Sequence, residues 1–234
     1  MLQGLIPSVY VKGVDMDIQT VIFDYDGTLV WLNINFNHIR QDIEHRLSGY
    51  DINFGALKGL YILEMIDEAT KRISKKRSYE GSEFYDKAHA IVVEHEVMAA
   101  KKGHIIPGVK PLLKKLRKRG IKVAIITRNC DRAVKIVFPD IENFSDVYLP
   151  RDYVNRVKPH PDHLVVALEK MGVNNSAHCL MVGDHIMDIE GGQQMGMKTA
   201  GVLTGKITRA DFTEAGADYI VDDVTSIPDI IFKE

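Results

Sequence analysis

Two aspartates stand two residues apart in Asp24-Tyr25-Asp26-Gly27-Thr28, directly after the apolar run Val21-Ile22-Phe23. In an extended segment that spacing points both carboxylates the same way. Such a pair at the edge of a core is costly unless a cation, a shared proton or a hydrogen-bond network compensates. Asp-Gly is also a common turn dipeptide, so the pair gains meaning only from a second acidic strand end. Cys179-Leu180-Met181-Val182-Gly183-Asp184 supplies one, and Asp188 follows a helical turn later. In open α/β sheets ligands bind beyond the carboxyl ends of the strands, so Asp24, Asp26, Asp184 and Asp188 can converge from distant positions. Their oxygens suit a hard divalent ion, of which Mg2+ is the most available.

Two further residues offer the opposite chemistry. Thr127 closes the apolar run Lys122-Val123-Ala124-Ile125-Ile126 and presents a hydroxyl, with the amides that follow, where an anion could accept hydrogen bonds. Lys158 precedes Pro159, whose ring biases the residue before it to an extended conformation. Taken singly, each is an ordinary strand-end hydroxyl or loop lysine; their order and surroundings give them weight.

The elements that would position these groups read as alternating strands and helices. After residue 105, short runs rich in Val and Ile alternate with amphipathic stretches, the pattern of a buried parallel sheet. Strands are expected at 21–23, 122–126, 179–182, 199–203 and 219–221, with a weaker one at 146–149 and an edge strand at Val9-Tyr10-Val11. Helices are expected at 109–119, 162–171 and 188–195, stopped by Gly120, Gly172 and Gly196. Inside the last of these, Gly191-Gly192 suggests close helix packing. Residues 33–104 lack Val/Ile strands and carry three helical stripes instead: Phe36/Ile39/Ile43/Leu47, then Ile62/Met65/Ile66/Ala69/Ile73, then Phe84/Ala88/Ile91/Met98. Ser82 is the expected N-cap of the third. The fold class is therefore α/β, a Rossmann-like, doubly wound parallel sheet with an inserted helical domain. The core is expected at 1–31 and 105–234, the helical cap at 32–104, and Ile105-Ile106-Pro107-Gly108 as the hinge between them.

Composition narrows the class. With 234 residues, 45% hydrophobic and 26% charged, the chain can bury a sizeable core. Thirty basic against 32 acidic residues leave a formal charge of −2, so nothing argues for a nucleic-acid or anionic-membrane surface. Cys130 and Cys179 match no metal or redox spacing, and two reduced thiols in a cytoplasmic protein are expected. The first seven residues have no basic n-region or apolar h-region, and no stretch approaches the ~20 apolar residues of a membrane span. Lys71, Arg72, Lys75, Lys76 and Arg77 read as a solvated helix end. His95-Glu96 lacks the second histidine of a zinc helix, so no zinc site is expected. No signal fixes an oligomeric state.

The ordered set Asp24-x-Asp26-Gly27-Thr28, Thr127, Lys158-Pro159 and Gly183-Asp184-x-x-x-Asp188 resembles the haloacid dehalogenase superfamily, in its phosphatase branch with a helical cap after the first motif. The resemblance spans about residues 20 to 222 and is closest to phosphoglycolate phosphatase-like and β-phosphoglucomutase-like members. It implies a Mg2+-dependent phosphatase acting on a small phosphorylated metabolite. Asp24 would be the nucleophile that forms an aspartyl-phosphate, and Asp26 the general acid and base. The Asp24 and Asp184 carboxylates and the Asp26 carbonyl would hold the metal, with Asp188 acting nearby. Thr127 and Lys158 would bind the phosphoryl oxygens, and the cap would close over the substrate. One departure concerns the residue after Thr127, where relatives usually carry Asn and this chain has Arg128, then Asn129. Both count as candidate substrate-binding residues; Arg128 either clamps a second anionic group or faces solvent. Two other readings are a β-phosphoglucomutase-like isomerase, against which Thr28 speaks, and a phosphometabolite-binding protein without catalysis.

Overall fold

The computed structural model describes residues 10–11, 17–50 and 52–232. Its strands are β1 (Tyr10–Val11), β2 (Thr20–Phe23), β3 (Val30–Trp31), β4 (His104–Ile105), β5 (Lys122–Ile126), β6 (Val147–Leu149), β7 (Cys179–Gly183), β8 (Lys198–Val202) and β9 (Tyr219–Val221). Its helices are α1 (Phe36–Leu47), α2 (Ile62–Lys76), α3 (Ser78–Ala100), α4 (Val109–Lys118), α5 (Asp131–Val137), α6 (Asp162–Met171), α7 (Ile186–Gln194), α8 (Arg209–Glu214) and α9 (Ile227–Ile231).

The main sheet runs β1-β9-β8-β7-β2-β5-β6, parallel throughout except for β1 on β9. From β2 the chain first builds outward through β5 and β6, then returns to β2's other side to build β7, β8 and β9. The strand order therefore reverses beside β2, which is where such sheets open a crevice. Alternation along β2 buries Val21 and Phe23 on one face, with α4 residues Leu112, Leu113 and Leu116. Ile22 faces the other way, with Leu164, Ala167 and Leu168 of α6. Both faces are covered, so the strands can be apolar on both sides.

Most expected elements form where patterning puts them. β5, β9 and α6 match to the residue, β8 begins and ends one residue earlier, and α7 starts two residues earlier, which makes Asp188 its third residue. Tyr10–Val11 pairs with β9 at the sheet edge, whereas Val9 lies outside the described residues. Among the described residues, those up to Leu32 and from Gly103 onward form one compact unit, and those within Asn33–Lys102 the other.

In the helical unit, α1 buries Ile39, Ile43 and Leu47, but Phe36 is exposed. α2 buries the whole expected stripe. α3 departs from expectation: it starts at Ser78, so Ser82 lies inside it and is no cap. A Cβ on Gly81 would sit 1.9 Å from Ser74 Oγ, so the glycine lets α3 begin tight against the end of α2. The buried row of α3 then runs Phe84, Ala88, Val92, Glu96, Val97, so Ile91 is only half-buried and Met98 is exposed. Lys71, Lys75, Lys76 and Arg77 are exposed at the end of α2, with Arg72 paired to Glu68 and Arg77 to Glu80.

Of the expected hinge, Ile105 is paired in a strand, whereas Ile106, Pro107 and Gly108 form the turn that leads into α4. β3 and β4 form an antiparallel ribbon, Val30 opposite Ile105 and Trp31 opposite His104, with the last two rings stacked at 5.5 Å. Cys130 and Cys179 are buried thiols that form no disulfide.

Gly192 of α7 rests directly on the sheet. A Cβ there would lie 2.7 Å from Thr199 Cγ2 and 2.9 Å from Met181 Cβ, both atoms close to their backbones. Gly192→Ala gains up to about 1 kcal/mol of helix propensity, but overpacking costs about 1–3 kcal/mol. The urea midpoint is expected to fall with the slope unchanged. An equal or higher midpoint would mean that α7 shifts freely on the sheet.

Candidate active site

β2 ends at Phe23 and the chain turns at once. The Asp24 amide donates to the Val182 carbonyl of β7 at 2.8 Å, and three amides, those of Thr28, Leu29 and Val30, close on the Tyr25 carbonyl. Gly27 takes φ +78°, a conformation that costs a residue with a Cβ dearly. Tyr25 is buried with its hydroxyl donating to the Val134 carbonyl, a packing role that leaves its backbone at the site.

β7 ends at Gly183 on the neighbouring side, so Asp184 arrives beside Asp24. Asp188 reaches in from α7, where it completes a capping box with His185. One carboxylate oxygen from each of Asp24, Asp184 and Asp188 lies within 4.8 Å of the others. Glycines make this crowding feasible. A Cβ on Gly27 or Gly205 would fall 2.2 or 2.1 Å from Asp184 Oδ2, and one on Gly183 would fall 2.1 Å from Asp188 Oδ2.

The cation in this cluster is Lys158. Its Nζ donates to Asp24 Oδ1 and, at 2.5 Å, to Asp188 Oδ1, with all three side chains buried. The Lys158 amide donates to His163 Nδ1 at 3.3 Å, and His163 Nε2 donates to the Leu149 carbonyl at 3.1 Å. Burial drives His163 down to about 3, so the ring stays neutral and can accept from that amide. Arg128 Nη1 donates to the Lys158 carbonyl, which fixes the loop from its other side. Thr127 is buried at the end of β5, the strand on the opposite flank of β2, and its Oγ1 accepts the Asn129 amide at 3.0 Å.

Electrostatics set the character of the cluster. Burial, then Asp24, Asp188 and Asp26, push the Asp184 carboxyl up to about 9. Burial also raises Asp188, although Lys158 pulls the other way. Burial alone would lower Lys158, but Asp188 and Asp24 outweigh it and hold the ammonium charged. One buried ammonium thus faces three clustered carboxylates, with Asp26 close enough to raise Asp184. That donor set is all oxygen and short of positive charge, which fits a hard divalent cation.

A pH dependence follows. A carboxyl whose folded pKa lies above its unfolded value binds more protons when folded. That stability is complete below the ordinary carboxylate range and is lost as pH rises toward about 9. In chelator-treated protein the urea midpoint is expected to be lower at pH ~8 than at pH ~5, and a divalent cation should restore much of the difference. A midpoint that rises with pH in the chelated protein contradicts the proposed burial of charge.

The sequence-derived residues Asp24, Asp184, Asp188 and Lys158 are therefore brought into one cluster. Asp26 sits half-buried in the same turn, bridged through its backbone to Val30. Arg128 is half-buried against the Lys158 loop and so does not simply face solvent. Asn129 is buried, and its carbonyl accepts the Arg151 amide. His160 and His185 spend a ring nitrogen on capping the amides of Asp162 and Met187.

Residues 18–196 match the family of haloacid dehalogenase-like hydrolases. The chain belongs to that family. Among similar proteins, pyrophosphatase PpaX of Bacillus cereus is 30% identical over 226 residues, which cover 92% of this chain and 97% of that protein. PpaX of Oceanobacillus iheyensis is 28% identical over 220 residues, covering 92% and 98%. A crystal structure described as a predicted phosphoglycolate phosphatase from Haemophilus somnus superposes with a TM-score of 0.62 at 20% identity, covering 93% of this chain and 99% of that one.

Three parts of this haloacid dehalogenase-like site escaped the sequence reading. His163, Gly205 and Thr204, whose hydroxyl donates to the Gly27 carbonyl, are single residues without a local pattern. Among the described residues, no helix is long and apolar enough to cross a membrane.

Proposed function

We propose that this hydrolase is a Mg2+-dependent phosphatase that releases phosphate from a small phosphorylated metabolite through an aspartyl-phosphate on Asp24. The observation that carries this reading is the buried Asp24 carboxylate, held by Lys158 within the Asp184/Asp188 cluster. An Asp24 oxygen attacks phosphorus, and the bond from phosphorus to the leaving oxygen breaks. Asp26 gives that oxygen a proton, then takes one from the water that attacks the aspartyl-phosphate, returning Asp24 and free phosphate. Lys158 and Thr127 bind the phosphoryl oxygens, and Lys158 also orients Asp24. Arg128 and Asn129 complete the substrate side.

The Asp24 and Asp184 carboxylates and the Asp26 carbonyl would hold Mg2+, with Asp188 keeping Lys158 in place. Bound there, the ion supplies charge neutralisation that lets a carboxylate approach a phosphate dianion.

Pyrophosphate is a second candidate substrate. It is favoured by the PpaX relatives, which match over nearly their whole length. A phosphate-release panel of phosphoglycolate, sugar phosphates, nucleotides and pyrophosphate, with and without Mg2+, tests both. Turnover of an ester supports the first reading and turnover of pyrophosphate alone the second. No release from any of them rejects the assignment.

A further inference from the structure

We infer that His38, Asp42 and His95 form a second metal site, in the helical unit, for a borderline transition-metal ion of which Zn2+ fits best. His38 and Asp42 are four residues apart on α1 and so share one face of the helix. The first turn of α1 is fixed, because the Asn35 side chain accepts the His38 amide at 3.0 Å. His95 comes from α3 and meets the same carboxylate: its Nε2 lies 2.8 Å from Asp42 Oδ2, and His38 Nε2 lies 3.8 Å from Asp42 Oδ1. One donor atom from each of the three residues lies within 4.8 Å of the others.

The geometry suits a small ion. Bonds of ~2.0–2.1 Å in a tetrahedral site set the ligand atoms ~3.3 Å apart, and the two imidazoles approach the two different oxygens of one carboxylate, so a small turn of the Asp42 side chain brings a single oxygen near that spacing from both. The imidazoles meet edge to face, centroids 5.1 Å apart at 77°, so their Nε2 atoms can turn to one point without the rings overlapping. Two imidazole nitrogens and a carboxylate oxygen prefer Zn2+ and its neighbours over Mg2+, the reverse of the all-oxygen set around Asp24. His95 is 23% exposed, Asp42 40% and His38 58%, which leaves an entry path and room for water as a further ligand. A helix-local motif could not reveal this site, because Asp42 and His95 are 53 residues apart. A filled site would tie α1 to α3.

The test is equilibrium dialysis of the full chain against Zn2+, comparing the parent protein with His38→Ala and His95→Ala. Every protein keeps the Asp24 cluster, so its uptake cancels. The parent is expected to bind one more equivalent than either variant, the affinity falling by about 100-fold or more when a ligand is removed, and excess Mg2+ should not displace it. Zn2+ should also raise the melting temperature of the parent more than that of the variants and shift the His38 and His95 ring signals in NMR spectra. His38 is mostly exposed, so its variant should fold even if His95→Ala does not. Equal Zn2+ uptake by the parent and His38→Ala, or displacement by Mg2+, overturns the proposal; hydrolytic activity does not enter the readout.

Discussion

Asp24→Asn is expected to lower phosphate release by about 10^4-fold or more, because the amide has no anionic oxygen with which to attack phosphorus. The substitution preserves shape, and Lys158 keeps its Asp188 partner, so the fold should persist. Removing one of three crowded carboxylates also relieves repulsion, which offsets the lost pairing with Lys158. Steady-state release, with circular dichroism to establish folding, is the measurement. Acid-quenched protein mixed with labelled substrate should carry the label in the parent and lose it in the variant. Undiminished turnover by a well-folded Asp24→Asn protein removes the nucleophile from the mechanism.

Lys158→Met should damage both stability and chemistry. The ammonium is buried between Asp24 and Asp188, so its removal leaves two carboxylates without their cation. Breaking a buried pair from one side costs about 3–5 kcal/mol. Protonation of Asp188 or capture of a divalent ion can offset part of that, so the loss should be largest in chelated protein near neutral pH and smaller with the ion present. Loss of a donor aimed at the transferring group should lower kcat by about 10^2 to 10^3-fold. Denaturation curves with and without the divalent ion separate the two effects. A variant as stable as the parent under chelation would show that the ammonium does not balance these charges.

The main architecture was legible because parallel strands buried on both faces are written as short apolar runs, Val/Ile-rich in β2 and β5 and Leu-Met-Val in β7. The acidic site was legible for the same reason: Asp24 and Asp184 end two of them, side by side at the sheet's reversal. What could not be read were contacts between single residues far apart in the chain. Gly205 matters only because Asp184 Oδ2 occupies the space its Cβ would need. His163 matters only because the Lys158 amide points at its ring. The third helical stripe held at Phe84 and Ala88 but not beyond them, since Glu96 is buried in the row and Met98 is exposed, against the expectation that the apolar residue lies inside.

The ribbon of β3 and β4 makes the departure and return of the chain next-door neighbours: Trp31 and His104 are directly paired. A segment inserted between two paired strands imposes little demand on what lies within it, because closing the gap requires only a turn. Asn33–Lys102 can therefore be treated as a cassette. Excision with a short hairpin loop, or a graft from a relative, leaves the sheet's own pairing intact, so the helical unit can be removed or exchanged without disturbing the strands that carry the acidic cluster.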